Sequence, residues 1–156
     1  MNSIAPKTIQ TAERFTYRSN VGATLFDVRD AMKTLKAALL EAEIAQLDIS
    51  CVEIVVAEIL NNIVKHAQRD MEEGWFEIQC SFVASGLHFT CRDNGAPMPG
   101  GTPPGGPLPN VDQPKDDLPE GGWGWSLVRT LSTNLSYVRV QNINLVSFNL
   151  VSSSKR

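Results

Sequence analysis

Glu58, Asn62 and His66 stand at i, i+4 and i+8 in the run VVAEILNNIVKHA. A helix turning about 100° per residue carries all three along one slowly drifting face. A carboxylate and an amide inside an otherwise apolar run cost free energy unless something polar meets them. Asn62 offers a neutral oxygen suited to Mg2+, a cation that prefers hard oxygen ligands and keeps several waters. Glu58, one turn away, is placed to accept a proton from a hydroxyl or a water attacking phosphorus. The alternative is that these residues cap, or hydrogen-bond to, neighbouring loops, and the helix by itself does not separate the two readings.

A second group is Asp93-Asn94-Gly95, directly after a strand-like run. Asp-x-Gly is a common turn. It also suits recognition of a flat base, because an ionised Asp accepts hydrogen bonds from an exocyclic amine and Gly leaves room for close approach. The third group is Gly121-Gly122-Trp123-Gly124, leading into Trp125-Ser126-Leu127. Glycines ahead of a helix free backbone N–H groups to surround an anion at its positive end. The run lacks the Gly-Lys-Ser/Thr ending of a Walker A loop, and it comes after a loop rather than the strand a dinucleotide fingerprint needs.

The elements that must position these groups can be read from periodicity. Residues 12–18 alternate weakly and predict a short strand. Leu25, Val28, Met32, Leu35 and Leu39 recur at three and four, an amphipathic stripe with Arg29, Lys33, Lys36 and Glu41 on the wet side. The stripe packs on a core or serves as a partner or dimer surface. A second helix, capped by Asp48 or Ser50, runs to about Gln68 and is apolar on most faces. Trp75–Val83 and Leu87–Arg92 read as strands joined by a tight turn at Ala84-Ser85-Gly86. Pairing Phe82 with Phe89 places Cys80 opposite Cys91. Residues 96–121 hold eight of the nine prolines and five glycines, which rules out a helix or central strand and marks a lid. A short helix over Trp125–Leu131 and a hairpin of Ser136–Val140 and Leu145–Val151, turning at QNIN, complete the chain. The order β-α-α-β-β-lid-α-β-β predicts an α/β (α+β) two-layer sandwich, with helices on one face of a mixed, mainly antiparallel sheet.

The composition sets bounds. The 156 residues suit one domain spanning 1–156, with a net charge of −3, 42% hydrophobic and 20% charged residues. Such a balance gives no electrostatic footprint for nucleic acid or an anionic membrane. The absence of an 18-residue apolar run excludes a spanning helix, and the N-terminus lacks a secretory pattern, so cytoplasm is expected. Three cysteines without a C-x-x-C pair give neither a disulfide framework nor a zinc pattern; Cys80 and Cys91 read as small buried hydrophobes.

Taken together, VVAEILNNIVKHA, CRDNGAPMP, a Pro/Gly-rich lid and GGWGWSLVRTL resemble the ATP-binding signature of the GHKL, or histidine-kinase-like, ATPase superfamily. Order and spacing match across about residues 50–135. Members with additional domains do not fit this length. His66 belongs to the first box and His88 to a strand, so the phospho-acceptor of a sensor histidine kinase is missing. Within the superfamily the chain is similar to the anti-sigma factor serine kinases. The resemblance implies ATP and Mg2+ as cofactors, with Asn62 holding Mg2+ and Glu58 acting as general base. It implies Asp93 on the adenine amine, His66 and Gly95 in their boxes, and Gly122 and Gly124 beside the phosphates. The implied partners are a sigma factor and a STAS-domain anti-anti-sigma protein phosphorylated on serine; a homodimer through the Leu25–Leu39 stripe is compatible with this. The chain departs from many relatives in carrying Trp123 where they have Arg, and its lid holds Lys115 as its single cation. Lys115 is thus the local candidate for the γ-phosphate. Two other readings stay open: a nucleotide-binding module that sequesters a partner without phosphotransfer, and a scaffold that no longer binds ATP.

Overall fold

A computed structural model describes residues 14–83, 86–104 and 122–151. The elements are β1 (Arg14–Arg18), α1 (Leu25–Glu41), α2 (Gln46–Asn62), β2 (Phe76–Val83), β3 (Gly86–Asp93), α3 (Gly122–Leu131), β4 (Thr133–Val140) and β5 (Ile143–Val151). A π-helical turn, Ile63–Ala67, continues α2, and a 3-10 turn, Pro99–Gly101, comes after β3. The five strands lie in the order β1-β2-β3-β5-β4, and every pairing is antiparallel.

Strand alternation sorts the sheet into two faces. Phe76, Ile78, Phe89, Cys91, Val146 and Phe148 are buried toward the helices, while Gln79, His88 and Arg92 are exposed on the other side. Phe89 and Phe148, paired across β3 and β5, stack with centroids 5.1 Å apart. Ile49, Val52, Val55, Val56, Ile59 and Leu60 of α2 close the core from above, with Val28, Ala31, Leu35 and Leu39 of α1 beside them. This is the expected two-layer arrangement.

Several details differ from the sequence expectations. Leu25 is half-exposed, and Ala31 takes its place in the buried stripe. Leu25 opens α1 on the flank of the stripe, just past Thr24, whose hydroxyl accepts the Phe26 N–H while Asp27 accepts the Thr24 N–H at 2.8 Å. Such a capping box is worth about 1 kcal/mol. Helix α2 begins earlier than expected, behind Ala45, which makes no side-chain cap; Asp48 lies inside its first turn and Ser50 further in. The β2–β3 register is tighter than the Phe82–Phe89 pairing by two residues. Val83 pairs with Gly86, so Cys80 faces Phe89 and Cys91 faces Ile78, and all three cysteines are free. The shift is even, so each side chain keeps its face. The last turn shortens from QNIN to Gln141-Asn142, both at positive φ, and moves Asn144 into β5. Helix α3 starts at Gly122, three residues before the expected Trp125.

Candidate functional site

The C-terminal end of α2 supplies the first wall. Asn62 is its last α-helical residue, and the chain then widens into the π turn, where the Gln68 N–H reaches the Ile63 carbonyl at 2.9 Å. A π turn adds a residue to the helical circuit and so rotates the residues beyond it about the helix axis. Here it carries exposed His66 to the rim of a cavity of about 480 Å3 that Asn62 also lines. Ile59, Ile63 and Val146 form an apolar floor, Met98, Pro99 and Pro104 a second wall, and Trp125 and Tyr137 close the sides. The volume is that of a cofactor-sized pocket with few polar groups.

Asp93 is the charged group of the opposite end, lining the cavity while only 2% exposed. Its Oδ1 accepts the Gly95 N–H at 2.8 Å and an Asn144 Nδ2–H at 3.0 Å. Oδ2 enters no hydrogen bond among the described residues. Burial pushes the Asp93 carboxyl above the ordinary 3.8; the bonds from Asn144 and Gly95 and the charge of Arg139 act the other way and offset only part of it.

Gly95 stands behind the wall. A Cβ there would overlap the Ala67 carbonyl, and the neighbouring Ala96 N–H donates to that same oxygen at 2.6 Å. The space that Gly95 frees is therefore taken by the π turn, where the sequence pattern gave it to a flat base. Glu58 is half-buried, one turn before Asn62 and beside the cavity lining; among the described residues it makes no hydrogen bond or ion pair. Its carboxylate lies against buried Gly124, where a Cβ would stand 2.9 Å from the carboxyl carbon. Gly122 is the first residue of α3. Lys115 and most of the expected lid lie outside the described residues.

The fold thus brings Asn62, His66 and Asp93 around one cavity, and Glu58 and Gly124 together at its edge. Sequence reasoning missed a third set. Asn144, 3% exposed, donates to the Ala96 carbonyl at 2.8 Å and accepts from Tyr137 OH at 2.6 Å and Arg139 Nη1 at 2.7 Å. Arg139 also donates to the Gly95 carbonyl at 2.8 Å, and Tyr137 OH accepts the Met98 N–H at 2.9 Å. Arg129 of α3 holds the Pro103 and Pro104 carbonyls at 2.6 and 2.9 Å. Residues 95–104, the root of the expected lid, are thereby tied to β4, β5 and α3. The available signal was a polar residue in phase with Val146, Phe148 and Leu150 on a buried strand face.

Among the described residues no three His, Cys, Asp or Glu side chains gather to hold a metal, and no helix is long and apolar enough to cross a membrane. The histidine kinase-like ATPase domain family matches residues 21–150, and the chain belongs to that family. No curated protein matches the sequence. Among solved structures, the crystal structure of the RsbU and RsbW domains of Rv1364c from Mycobacterium tuberculosis is similar, with a TM-score of 0.61 at 14% identity. The likeness covers 90% of this chain and 34% of that one, and it extends to the fold.

Proposed function

We propose that the chain binds Mg·ATP and transfers the γ-phosphoryl group to a serine of a protein partner, in the manner of an anti-sigma serine kinase. The observation that carries this reading is the pairing of a buried Asp93 acceptor at one end of an apolar cavity with Asn62 on the wall beside Glu58. Adenine enters between the apolar floor and the 97–99 wall, its amine donating to Asp93. His66 lines the route toward the phosphates, and Gly95 keeps the Asp93 loop seated on the π turn that continues α2. The phosphates lie toward the start of α3, where Gly122 and Gly124 bring backbone N–H groups close; Lys115 is the lid residue available to the γ-phosphate.

The donor set fits a nucleotide-borne ion and no free-standing metal site. Asn62 would offer one neutral oxygen to an Mg2+ carried in by the phosphates, a cation that takes few protein ligands and keeps several waters. When bound, Mg2+ supplies charge neutralisation at the phosphates. Glu58 takes the proton of the serine hydroxyl as its oxygen bonds to the γ-phosphorus, while the bond to the bridging oxygen breaks and ADP leaves. Alignment and electrostatics carry most of such a reaction.

The partners on this reading are a STAS-domain anti-anti-sigma protein as phospho-acceptor and a sigma factor held from RNA polymerase, in the cytoplasm and without direct contact to nucleic acid. The Leu25–Leu39 stripe is not open to a homodimer, because Val28, Leu35 and Leu39 are buried in the core; a dimer surface on α1 is left only the exposed Leu25 and Phe26 at its start. A nucleotide-binding module without transfer is the second reading, favoured by Trp123 in the last glycine box and the single lid cation.

Calorimetry with Mg·ATP on the wild type and Asp93→Asn tests the site. Saturable binding that the variant loses supports it, and no binding to the wild type sinks it. Incubation with Mg·ATP and a STAS partner then separates kinase from module by the presence or absence of phosphoserine.

A further inference from the structure

The polar group beside Asp93 takes no part in the proposed transfer, although two of its members, Asn144 and Tyr137, line the same cavity and Asn144 is the most heavily bonded side chain there. Asn144 spends both ends of its amide on the protein. Its Nδ2 serves Asp93 Oδ1 at 3.0 Å, the Ala96 carbonyl at 2.8 Å and, more weakly, the Gly95 carbonyl at 3.3 Å. Its Oδ1 takes hydrogens from Tyr137 and Arg139. These two donors fix which end of the amide is which, so the group facing Asp93 is a donor. Met98 N–H in turn fixes the Tyr137 hydroxyl as an acceptor on its other side, at 2.9 Å.

We infer that Asn144 is a positioning residue that sets base specificity: by occupying Asp93 Oδ1, it presents Oδ2 to the cavity as a fixed acceptor. The inference rests on the reading of the cavity as a purine nucleotide site. An ionised carboxylate only accepts hydrogen bonds, and adenine offers an amine where guanine offers a carbonyl oxygen. A protonated Asp93 would donate, and would then tolerate guanine. Sites built to hydrogen-bond one substrate group reject the analogue that leaves their buried polar atoms unpaired.

Electrostatics point the same way. The groups around Asp93 are Asn144 from β5, Arg139 from β4, the Gly95 N–H, the Cys91 thiol on its own strand and His66 on the cavity's far wall. Asn144, Gly95 and Arg139 favour the ionised form against the cost of burial. Removing the Asn144 amide deletes the first of these and frees Arg139 and Tyr137 from their shared acceptor. The carboxyl then holds its proton to higher pH, and adenine affinity, which needs the ionised form, disappears earlier on acidification.

The test is calorimetry of Mg·ATP and Mg·GTP against the wild type, Asn144→Ala and Tyr137→Phe, from about pH 4, the ordinary Asp range, to about pH 8.5. In Asn144→Ala the ATP-over-GTP preference falls about tenfold, the worth of one hydrogen bond to a charged group. The pH midpoint of ATP binding moves upward. Tyr137→Phe removes one of the two bonds onto Asn144 Oδ1 and moves both quantities the same way by less; it decides the matter should Asn144→Ala not fold. A wild type that selects ATP, with variants unchanged in preference and midpoint, overturns the inference and leaves the nucleotide site standing. Equal loss of both nucleotides at an unchanged midpoint assigns Asn144 to structure and also overturns it. A wild type that binds neither nucleotide removes the underlying reading itself.

Discussion

The carboxylate of Glu58 rests against the α-carbon of Gly124, so that the end of α2 and the start of α3 meet through the proposed general base and a glycine. Two helices come this close because one partner has no side chain. A methyl group at Gly124 meets the far end of a flexible side chain, which yields by turning away. Gly124→Ala therefore folds normally, and the melting temperature holds or rises, since Ala is favoured over Gly in a helix by up to about 1 kcal/mol. Mg·ATP affinity falls by less than transfer does, because the Gly124 N–H remains. Phosphotransfer falls by about 100-fold, the scale expected when a reacting group is displaced by an ångström. Transfer at the wild-type rate, measured with a STAS partner, would remove Glu58 and its contact from the mechanism.

Gly95 presents the opposite case. A Cβ there overlaps the backbone carbonyl of Ala67, which accepts the Ala96 N–H and belongs to the π turn that carries His66. Neither backbone has a rotamer to give. Gly95→Ala costs about 1–3 kcal/mol, as overpacking does. Denaturant titration reads the loss as a lower midpoint at unchanged slope. A Gly95→Ala protein as stable as wild type, still weak toward ATP, would return Gly95 to direct contact with the base.

The cysteines report on how firmly β2 and β3 stay paired. Burial pushes the Cys80 thiol up to about 12 and moves Cys91 in the same direction, with the neighbouring Asp93 adding to it. Only the thiolate reacts. At pH 8 a thiol reagent added to the native protein modifies half-buried Cys51, and the other two react only after unfolding. Rapid native labelling of Cys80 or Cys91 would mean that β2 and β3 open far more readily than a paired core should.

Local chemistry explains which parts of this molecule were legible from the sequence. Glu58, Asn62 and His66 lie within nine residues on α2 and the turn that continues it, and Asp93 and Gly95 in one turn, so short-range spacing was enough to single them out as candidates, and Asn62, His66 and Asp93 line one cavity. The buried stripes of α1 and α2 reflect helical period, with Leu25 misplaced because a helix end has less to pack against. The π turn at Ile63–Ala67 has no sequence period of its own to betray it. The β2–β3 register depended on the length of one connection, and an even error left every face intact. Asn144, Tyr137 and Arg139 were invisible for a different reason. Their bonds reach Asp93, Gly95, Ala96 and Met98 across 39 to 51 residues of chain, and sheet pairing alone brings them together.

Asp93 should cost the empty protein stability in return for its ligand. Its folded carboxyl lies above the ordinary 3.8, so folding takes up a proton there when the pH lies between the two values. The group's contribution is fully present below 3.8 and is lost as pH rises through the folded value, above which a buried charge remains. Asp93→Asn keeps an oxygen for the Gly95 and Asn144 donors and removes that charge. Without nucleotide, the variant melts at or above the wild-type temperature at pH 7, and its advantage fades as the pH is lowered. With saturating Mg·ATP the order reverses, because only the wild type gains the stabilisation that binding confers. Thermal melts of both proteins, with and without Mg·ATP at several pH values, read all of this in one series. An apo Asp93→Asn that melts well below wild type at pH 7 would make the carboxylate a structural bond first and leave its proposed adenine contact unsupported.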